Sequence, residues 1–401
     1  MSNQLNQQLS LKLSSLKNTL AKIAGIILCT MVFACGSSSP PEPLIYEYQT
    51  PVNKNDGWQV AHASDHDVTA SILENMMNAI RQGQFTKIDS VLIVRNNYLV
   101  FDELIRTQLD SRDSYIGNSD LNVHSAQSVT KSFASALVGI AIDKNYIEST
   151  DAKFYDFFQN YPSFENWDES KNQINLENVL TMQHGWQWDE WSYPYSDSRN
   201  SLGEIYRNHP DHVKGLLDLP MATSPGSTFA YSTIASVALG GAVENATGLQ
   251  LEDFADQYLF LPLGINSHIW DFTPAGRAHT GGGLWISSRD MAKLGQLFLQ
   301  QGNWNGEQLI STEWVDISTQ AHVTLNYSHS DNYGYQWWDK TFNLSDGRSI
   351  YTYSAQGNGG QFIYVIPELN SVVVFTGSNY DSPEMYQAVT LMRQFVLPAL
   401  K

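Results

Sequence analysis

Ser128 and Lys131 stand three residues apart in the stretch Val123-His124-Ser125-Ala126-Gln127-Ser128-Val129-Thr130-Lys131-Ser132. A serine hydroxyl is a poor nucleophile until a neighbouring group takes its proton, and an amine held beside it can take part in that transfer. The apolar run Phe133 to Ile142 follows, with Phe133, Leu137, Ile140 and Ala141 at helical spacing. The pattern predicts a helix that buries one face and stops near Asn145. Ser128 then falls in the first turn, and Lys131 projects from the same face. The start of such a helix also offers free N–H groups and partial positive charge where an oxyanion would form. By itself the pair is a weak signal, since a chain of this length holds roughly one or two Ser-x-x-Lys matches by chance. Ser14-Ser15-Leu16-Lys17 is another. The plain alternative is an ordinary amphipathic helix start.

The elements around the pair decide what could join it. Ser224-Pro225-Gly226 forms a turn, and Phe229-Ala230-Tyr231-Ser232-Thr233 leads into a predicted helix from Ile234 to Thr247 closed by Gly248. Tyr231 therefore sits on a loop just ahead of a helix. Gly281-Gly282-Gly283-Leu284 precedes another helix, Ser288 to Gln300. Without a following Gly-Lys-Ser/Thr these glycines do not read as a phosphate loop, but they allow backbone to pass close to a cleft. Val68 to Arg81, Ile174 to Met182, Ser201 to Leu217 and Pro383 to Leu397 have helical periodicity. The Trp-rich loop Gly185 to Trp191 lies between the second and third of these. Clustered tryptophans serve packing or line a substrate cleft. Ser90 to Val94 and Tyr98 to Phe101 read as strands across the tight-turn pair Asn96-Asn97; Ser349 to Ser354 is extended, and Gln361 to Ile366 pairs with Val372 to Thr376 across Pro367 to Asn370. Strands near both ends bracket a helical middle. The expected fold is mixed α/β, a mainly antiparallel sheet built from both chain ends and flanked by helices, with a helical lobe inserted at roughly 104–345 and a cleft between.

Composition narrows the functional classes. The chain has 401 residues, 42% of them hydrophobic, and 11 Trp, enough for a large core. Its formal net charge is −18. Such a surface repels phosphate backbones, so no nucleic-acid partner is expected. Cys29 and Cys35 are the two cysteines, and both fall in the N-terminal segment, leaving the body without a disulfide or thiolate metal site. His62, Asp65, His66 and Asp67 cluster, but at spacings that do not make a zinc motif, and they read as a solvated lead-in.

The N-terminal segment is polar with Lys12, Lys17 and Lys22, then apolar from Ile23 to Cys35. It is too short for a membrane span and reads as a secretory signal over 1–34. Val32-Phe33-Ala34-Cys35 resembles a bacterial lipobox, which implies a lipid on Cys35. Gly36 to Pro43 begins a tether over 35–55, with the folded domain at 56–401. Gly36, rather than Asp, resembles lipoproteins sent to the outer membrane. The expectation is an envelope protein on the periplasmic side, held to the membrane through that anchor.

Three stretches together resemble the serine β-lactamase and penicillin-recognising superfamily, in particular its class C-like branch of β-lactamases, esterases and nylon-oligomer hydrolases. The resemblance runs from about Asp56 to the C-terminus. Ser128-Val129-Thr130-Lys131 matches Ser-x-x-Lys, Tyr231-Ser232-Thr233 occupies the Tyr-x-Asn position, and Ala355-Gln356-Gly357 falls where Lys-Thr-Gly or its His variant is expected. Ser224 to Phe229, Gly282 to Trp285 and Tyr333 to Trp337 match flanking segments. The resemblance implies that Ser128 attacks a carbonyl and that Tyr231, drawn toward phenolate by the Lys131 ammonium, is the general base. It also implies that Gln356, Gly357 and Asn358 border the substrate, with the N–H groups of Ser128 and Asn358 as the oxyanion hole. Water would release the acyl-enzyme, with no metal or organic cofactor.

Two departures from the family pattern bear on substrate. Ala355 stands where a cation meets a β-lactam carboxylate, and Thr233 replaces an asparagine that contacts the acylamino chain. The expected activity is hydrolysis of small esters or linear amides. The alternatives are a β-lactamase, a D-Ala-D-Ala carboxypeptidase, or an envelope binding protein without turnover. The chain has no Gly-x-Ser-x-Gly elbow, which disfavours an ordinary α/β-hydrolase.

Overall fold

A computed structural model describes residues 45–401, so the expected signal segment and Cys35 lie outside the described residues. The strands are β1 (Gln59–Val60), β2 (Ile88–Arg95), β3 (Tyr98–Leu104), β4 (Val123–Ser125), β5 (Ile269–Trp270), β6 (Leu284–Ser287), β7 (Asn303–Trp304) and β8 (Glu307–Gln308). They continue as β9 (Val323–Thr324), β10 (Asn332–Tyr333), β11 (Trp338–Asn343), β12 (Ser349–Gly357), β13 (Gln361–Ile366) and β14 (Ser371–Gly377). Nine of them make one sheet in the order β1-β3-β2-β14-β13-β12-β11-β10-β9; it is antiparallel except where β1 runs parallel to β3. The two chain ends meet at the β2–β14 pair, with Leu92 opposite Val374 and Val94 opposite Val372. Asn96 and Asn97 turn β2 into β3 at φ 53° and 69°, the left-handed pair that a two-residue hairpin requires.

Alternation divides the central strands between two cores. Leu92, Val94, Ile363, Val365, Val372 and Val374 point to one face, and Val91, Ile93, Phe362, Tyr364, Val373 and Phe375 to the other. Because both faces are covered, β2 is buried at all eight positions. Helix α1 (Ala70–Arg81) lays Leu73, Met76, Met77 and Ile80 on the second face, beside the C-terminal helical run that starts at Pro383. The first face carries the lobe. There, helix α2 (Thr130–Asp143) packs against β12 and against a helix described below.

Several boundaries differ from expectation. Helix α2 is buried from Thr130 through Ala141, not along one face, because it is a central helix with sheet on one side and lobe on the other. Ile174 to Met182 narrows to α3 (Leu176–Leu180), capped by the Asn175 side chain. Ser201 to Leu217 divides into α4 (Ser201–Asn208) and α5 (His212–Leu217), because Pro210 lacks the N–H to continue a helix and Asp211 caps the second one. Helices α6 (Thr233–Thr247) and α7 (Ser288–Leu299) form where expected, and α7 lies on β13 and β14 as part of the sheet layer. Strands β9 to β11 also belong to the sheet, so the segment expected as inserted lobe, 104–345, already carries sheet strands from Val323 onward. At the other end the compact unit begins at Tyr46. Tyr46 is buried, its hydroxyl donates to Glu103 at 2.6 Å, and the Tyr48 hydroxyl donates to Val100 O at 2.8 Å. The tether expected over 35–55 is therefore docked from Tyr46 on.

Candidate active site

The turn that carries Ser128 is fixed from both sides. Strand β4 pairs with β6, Ala126 N donates to Leu284 O at 2.8 Å, and Leu284 N donates to Thr130 Oγ1 at 3.2 Å. Gln127 adopts a left-handed φ of 50°. A non-glycine residue held there costs about 1–3 kcal/mol and persists only where surrounding structure imposes it. A 3₁₀ turn, Gln127–Val129, then runs into α2. Ser128 is half-buried, and Lys131 lies beneath it.

Lys131 has three acceptors for its three donors. Its Nζ donates to Ser128 Oγ at 2.9 Å, to Thr233 Oγ1 at 3.2 Å and to Gly281 O at 2.5 Å. Gly281 is required for the last of these, because a Cβ there would come within 2.4 Å of Thr233 O. The Lys131 side chain is 2% exposed. Burial pushes its amine down to about 8, opposed by the nearby Glu190 carboxylate. Once deprotonated, the amine can keep its bonds to Thr233 and Gly281 and turn its lone pair toward Ser128 Oγ.

Tyr231 occupies the loop before α6, as expected, and Ser232 caps that helix through a bond from Ala235 N. Its ring stacks between Trp191, centroid distance 4.7 Å, and Trp338, 5.8 Å. Lys131 Nζ lies 4.9 Å from the Tyr231 ring centroid. The burial of Tyr231 bears on the expected phenolate. Burial raises the phenol well above its ordinary value and Tyr333 adds to this, while a hydrogen bond with Ser128 acts the other way. Desolvation thus disfavours the charged form of both groups, the phenolate of Tyr231 and the ammonium of Lys131.

Strand β12 brings the third stretch to the same place. A Cβ on Gly357 would approach Ala126 O to 2.5 Å, so glycine is what lets the strand end meet the Ser128 turn. Asn358 follows, its side chain bonded to Asp381. Gln356 lines the cavity and pairs with His329 Nδ1 at 2.9 Å. Ala355 is fully buried in the core between sheet and lobe.

These residues open on a cavity of about 940 Å³ lined by Ser128, Tyr231, Asn358 and a wall of aromatics that includes Trp191, Tyr195, Tyr327 and Tyr386. No lysine or arginine lines it among the described residues. Burial pushes His329 down to about 4, so it is neutral there. Arg348 turns away, donating to Leu397 O and Leu400 O. Two residues near the site went unread in the sequence, Glu190 and Asp381. Glu190 sits in the Trp-rich loop with no local motif around it. Of that loop, Trp186 is core and Trp191 is cleft wall. His62 bonds Ser64 and the His66 ring packs at a tilt against Tyr98, so the N-terminal histidine cluster is not gathered at this site.

A family model described as Beta-lactamase matches residues 79–396. An uncharacterized protein of Alkalihalophilus pseudofirmus is 21% identical over 332 residues, which are 76% of this chain and 88% of that protein. The 6-aminohexanoate-dimer hydrolase of Paenarthrobacter ureafaciens is 24% identical over 270 residues, 63% of this chain and 65% of its own. A solved family VIII carboxylesterase shares the fold, with a TM-score of 0.59 and 14% identity over 81% of this chain and 96% of that one. With the family model covering most of its length, this chain belongs to the beta-lactamase family.

Proposed function

We propose that this serine hydrolase acts on uncharged esters and linear amides through an acyl-enzyme on Ser128. In this reading the neutral Lys131 amine takes the Ser128 proton as Oγ attacks the carbonyl carbon. The N–H groups of Ser128 and Asn358 receive the oxyanion, and losing one such donor costs ~10²–10³ in rate. The protonated Tyr231 phenol donates to the leaving oxygen or nitrogen and is refilled from the Lys131 ammonium. Water then attacks the acyl carbon, passes its proton back along the same groups and frees Ser128. The observation that carries the reading is the buried Lys131 amine, 2.9 Å from Ser128 Oγ, on a cavity wide enough for a small acyl compound.

The substrate class follows from what the cavity lacks. With no lysine or arginine on its wall among the described residues, and Ala355 buried, no lining cation meets the carboxylate of a β-lactam. Aromatic walls suit an uncharged acyl or alcohol group. The 6-aminohexanoate-dimer hydrolase and the carboxylesterase, by their names, act on a linear amide and on esters, and both support the choice of bond. Labelling with a fluorophosphonate, followed by peptide mapping, tests the nucleophile: the label should map to Ser128, and Ser128→Ala should lose labelling and turnover while its circular dichroism is unchanged. A label on another serine would sink the assignment.

We also propose that Cys35 carries a lipid that anchors the enzyme to the membrane of the envelope. The lipobox-like Val32 to Cys35 and the Ser/Pro-rich residues after it support this.

A further inference from the structure

One residue bordering the cavity, Glu190, carries a carboxylate that the catalytic reading does not use. Glu190 is 4% exposed. Its Oε1 accepts from Thr233 Oγ1 at 2.6 Å and its Oε2 from Thr233 N at 2.7 Å. Burial raises the Glu190 carboxyl, and the Lys131 amine together with these two bonds from Thr233 acts the other way, favouring the ionised form. The two oxygens sit at the first residue of α6, where the helix end favours negative charge. Because the Thr233 proton is committed to Glu190, Thr233 Oγ1 is left free to accept from Lys131 Nζ, and it does so at 3.2 Å. The result is a chain of hydrogen bonds, Ser128 to Lys131 to Thr233 to Glu190.

We infer that Glu190, acting through Thr233, is a positioning residue that holds the Lys131 amine on Ser128 and sets the pH range in which that amine is a base. The inference rests on Lys131 being the proton acceptor. Its sense follows from charge. Burial favours the neutral amine, and the Glu190 carboxylate opposes it. Tyr231 and His279 also face Lys131, and Tyr195 and Tyr206 face Glu190. None of them carries charge near neutrality: burial raises the three phenols and pushes His279 down to about 4. Among the described residues, Glu190 is thus the carboxylate whose charge acts on the amine.

The test is the pH profile of kcat/KM for p-nitrophenyl acetate in the full-length enzyme and its variants. Removing the charge with Glu190→Gln should move the acid limb down by about one pH unit, the lower range for an opposite charge at close distance. At pH 6 the variant then retains about tenfold more of its own plateau than wild type retains of its plateau. Glu190→Asp, which keeps the charge, should keep the limb near its original place. A Glu190→Gln enzyme that is slower in equal proportion at every pH would overturn the inference. If that variant does not fold, Thr233→Val and Thr233→Ser decide. The valine should lower the plateau severalfold and the serine restore it, whereas a fully active valine variant would overturn the positioning role. Lys131→Met separates the two levels: if it keeps the wild-type rate and limb, the base assignment itself has failed. A limb that depends on Lys131 but ignores Glu190→Gln defeats only the inference.

Discussion

Asn358 and Asp381 exchange two hydrogen bonds across the mouth of the cavity, Asn358 Nδ2 donating to Asp381 Oδ1 at 2.7 Å and Asp381 N donating to Asn358 Oδ1 at 2.9 Å. Beside them Asn379 N donates to Gly359 O at 3.0 Å. The backbone just past β12 is therefore fastened to the loop after β14, and the Asn358 N–H assigned to the oxyanion hole is carried on that fastened segment.

Asp381→Ala should loosen the donor without deleting it, lowering kcat about tenfold, less than the ~10²–10³ of outright loss, with KM little changed. Asp381 also has a left-handed φ of 54°, which Asn tolerates and Ala does not. Asp381→Asn should accordingly stay near wild type. Steady-state kinetics on p-nitrophenyl acetate check both, and an unaffected Asp381→Ala would mean that the segment holds itself.

The protonation states of Lys131 and Tyr231 set the pH behaviour. Lys131 is pushed down to about 8, so kcat/KM should rise tenfold per pH unit up to about 8 and then level, as the neutral amine becomes the dominant form. Tyr231, raised well above its usual value, should add no limb in that range. Tyr231→Phe keeps the ring between Trp191 and Trp338 and removes only the proton donor. Turnover should fall by at least ~10². Near-wild-type hydrolysis would mean that the leaving group is protonated by Lys131 directly.

Short-chain nitrophenyl esters should be hydrolysed with a much higher kcat/KM than a chromogenic cephalosporin. A charge-assisted hydrogen bond to the substrate carboxylate contributes ~1.5–3 kcal/mol, so its absence costs on the order of ten- to a hundredfold in transition-state binding. Restoring a cation by Ala355→Lys is not a clean control, because Ala355 is fully buried and the new charge would enter the core. The wild-type ratio is the decisive measurement, and a preference for the cephalosporin would overturn the ester reading.

Cys35 should carry the enzyme into the detergent phase on Triton X-114 partitioning, and Cys35→Ala should return it to the aqueous phase. Equal partitioning of both into water would count against the anchor.

Sequence alone determined what local spacing can encode. Two residues three apart ahead of an apolar run put Ser128 and Lys131 together, a turn signal ahead of a helix put Tyr231 on a loop, and Asn96-Asn97 between alternating runs gave the first hairpin. Each depends on neighbours a few residues away. The split at Pro210 was equally local, but the apolar periodicity on either side masked it. Tertiary structure alone decided the chemistry of those groups. That the Lys131 amine is depressed and the Tyr231 phenol raised follows from burial on all sides, and the walls come from β12, α6 and the Trp-rich loop, distant in sequence. Glu190 and Asp381 were illegible for the same reason. Glu190 meets Thr233 across 43 positions of chain and Asp381 meets Asn358 across 23, and no periodicity or motif records a contact made only when distant segments of the lobe pack together or one loop crosses another. A carboxylate in a loop reads as solvated until the fold places an amine and a helix end against it.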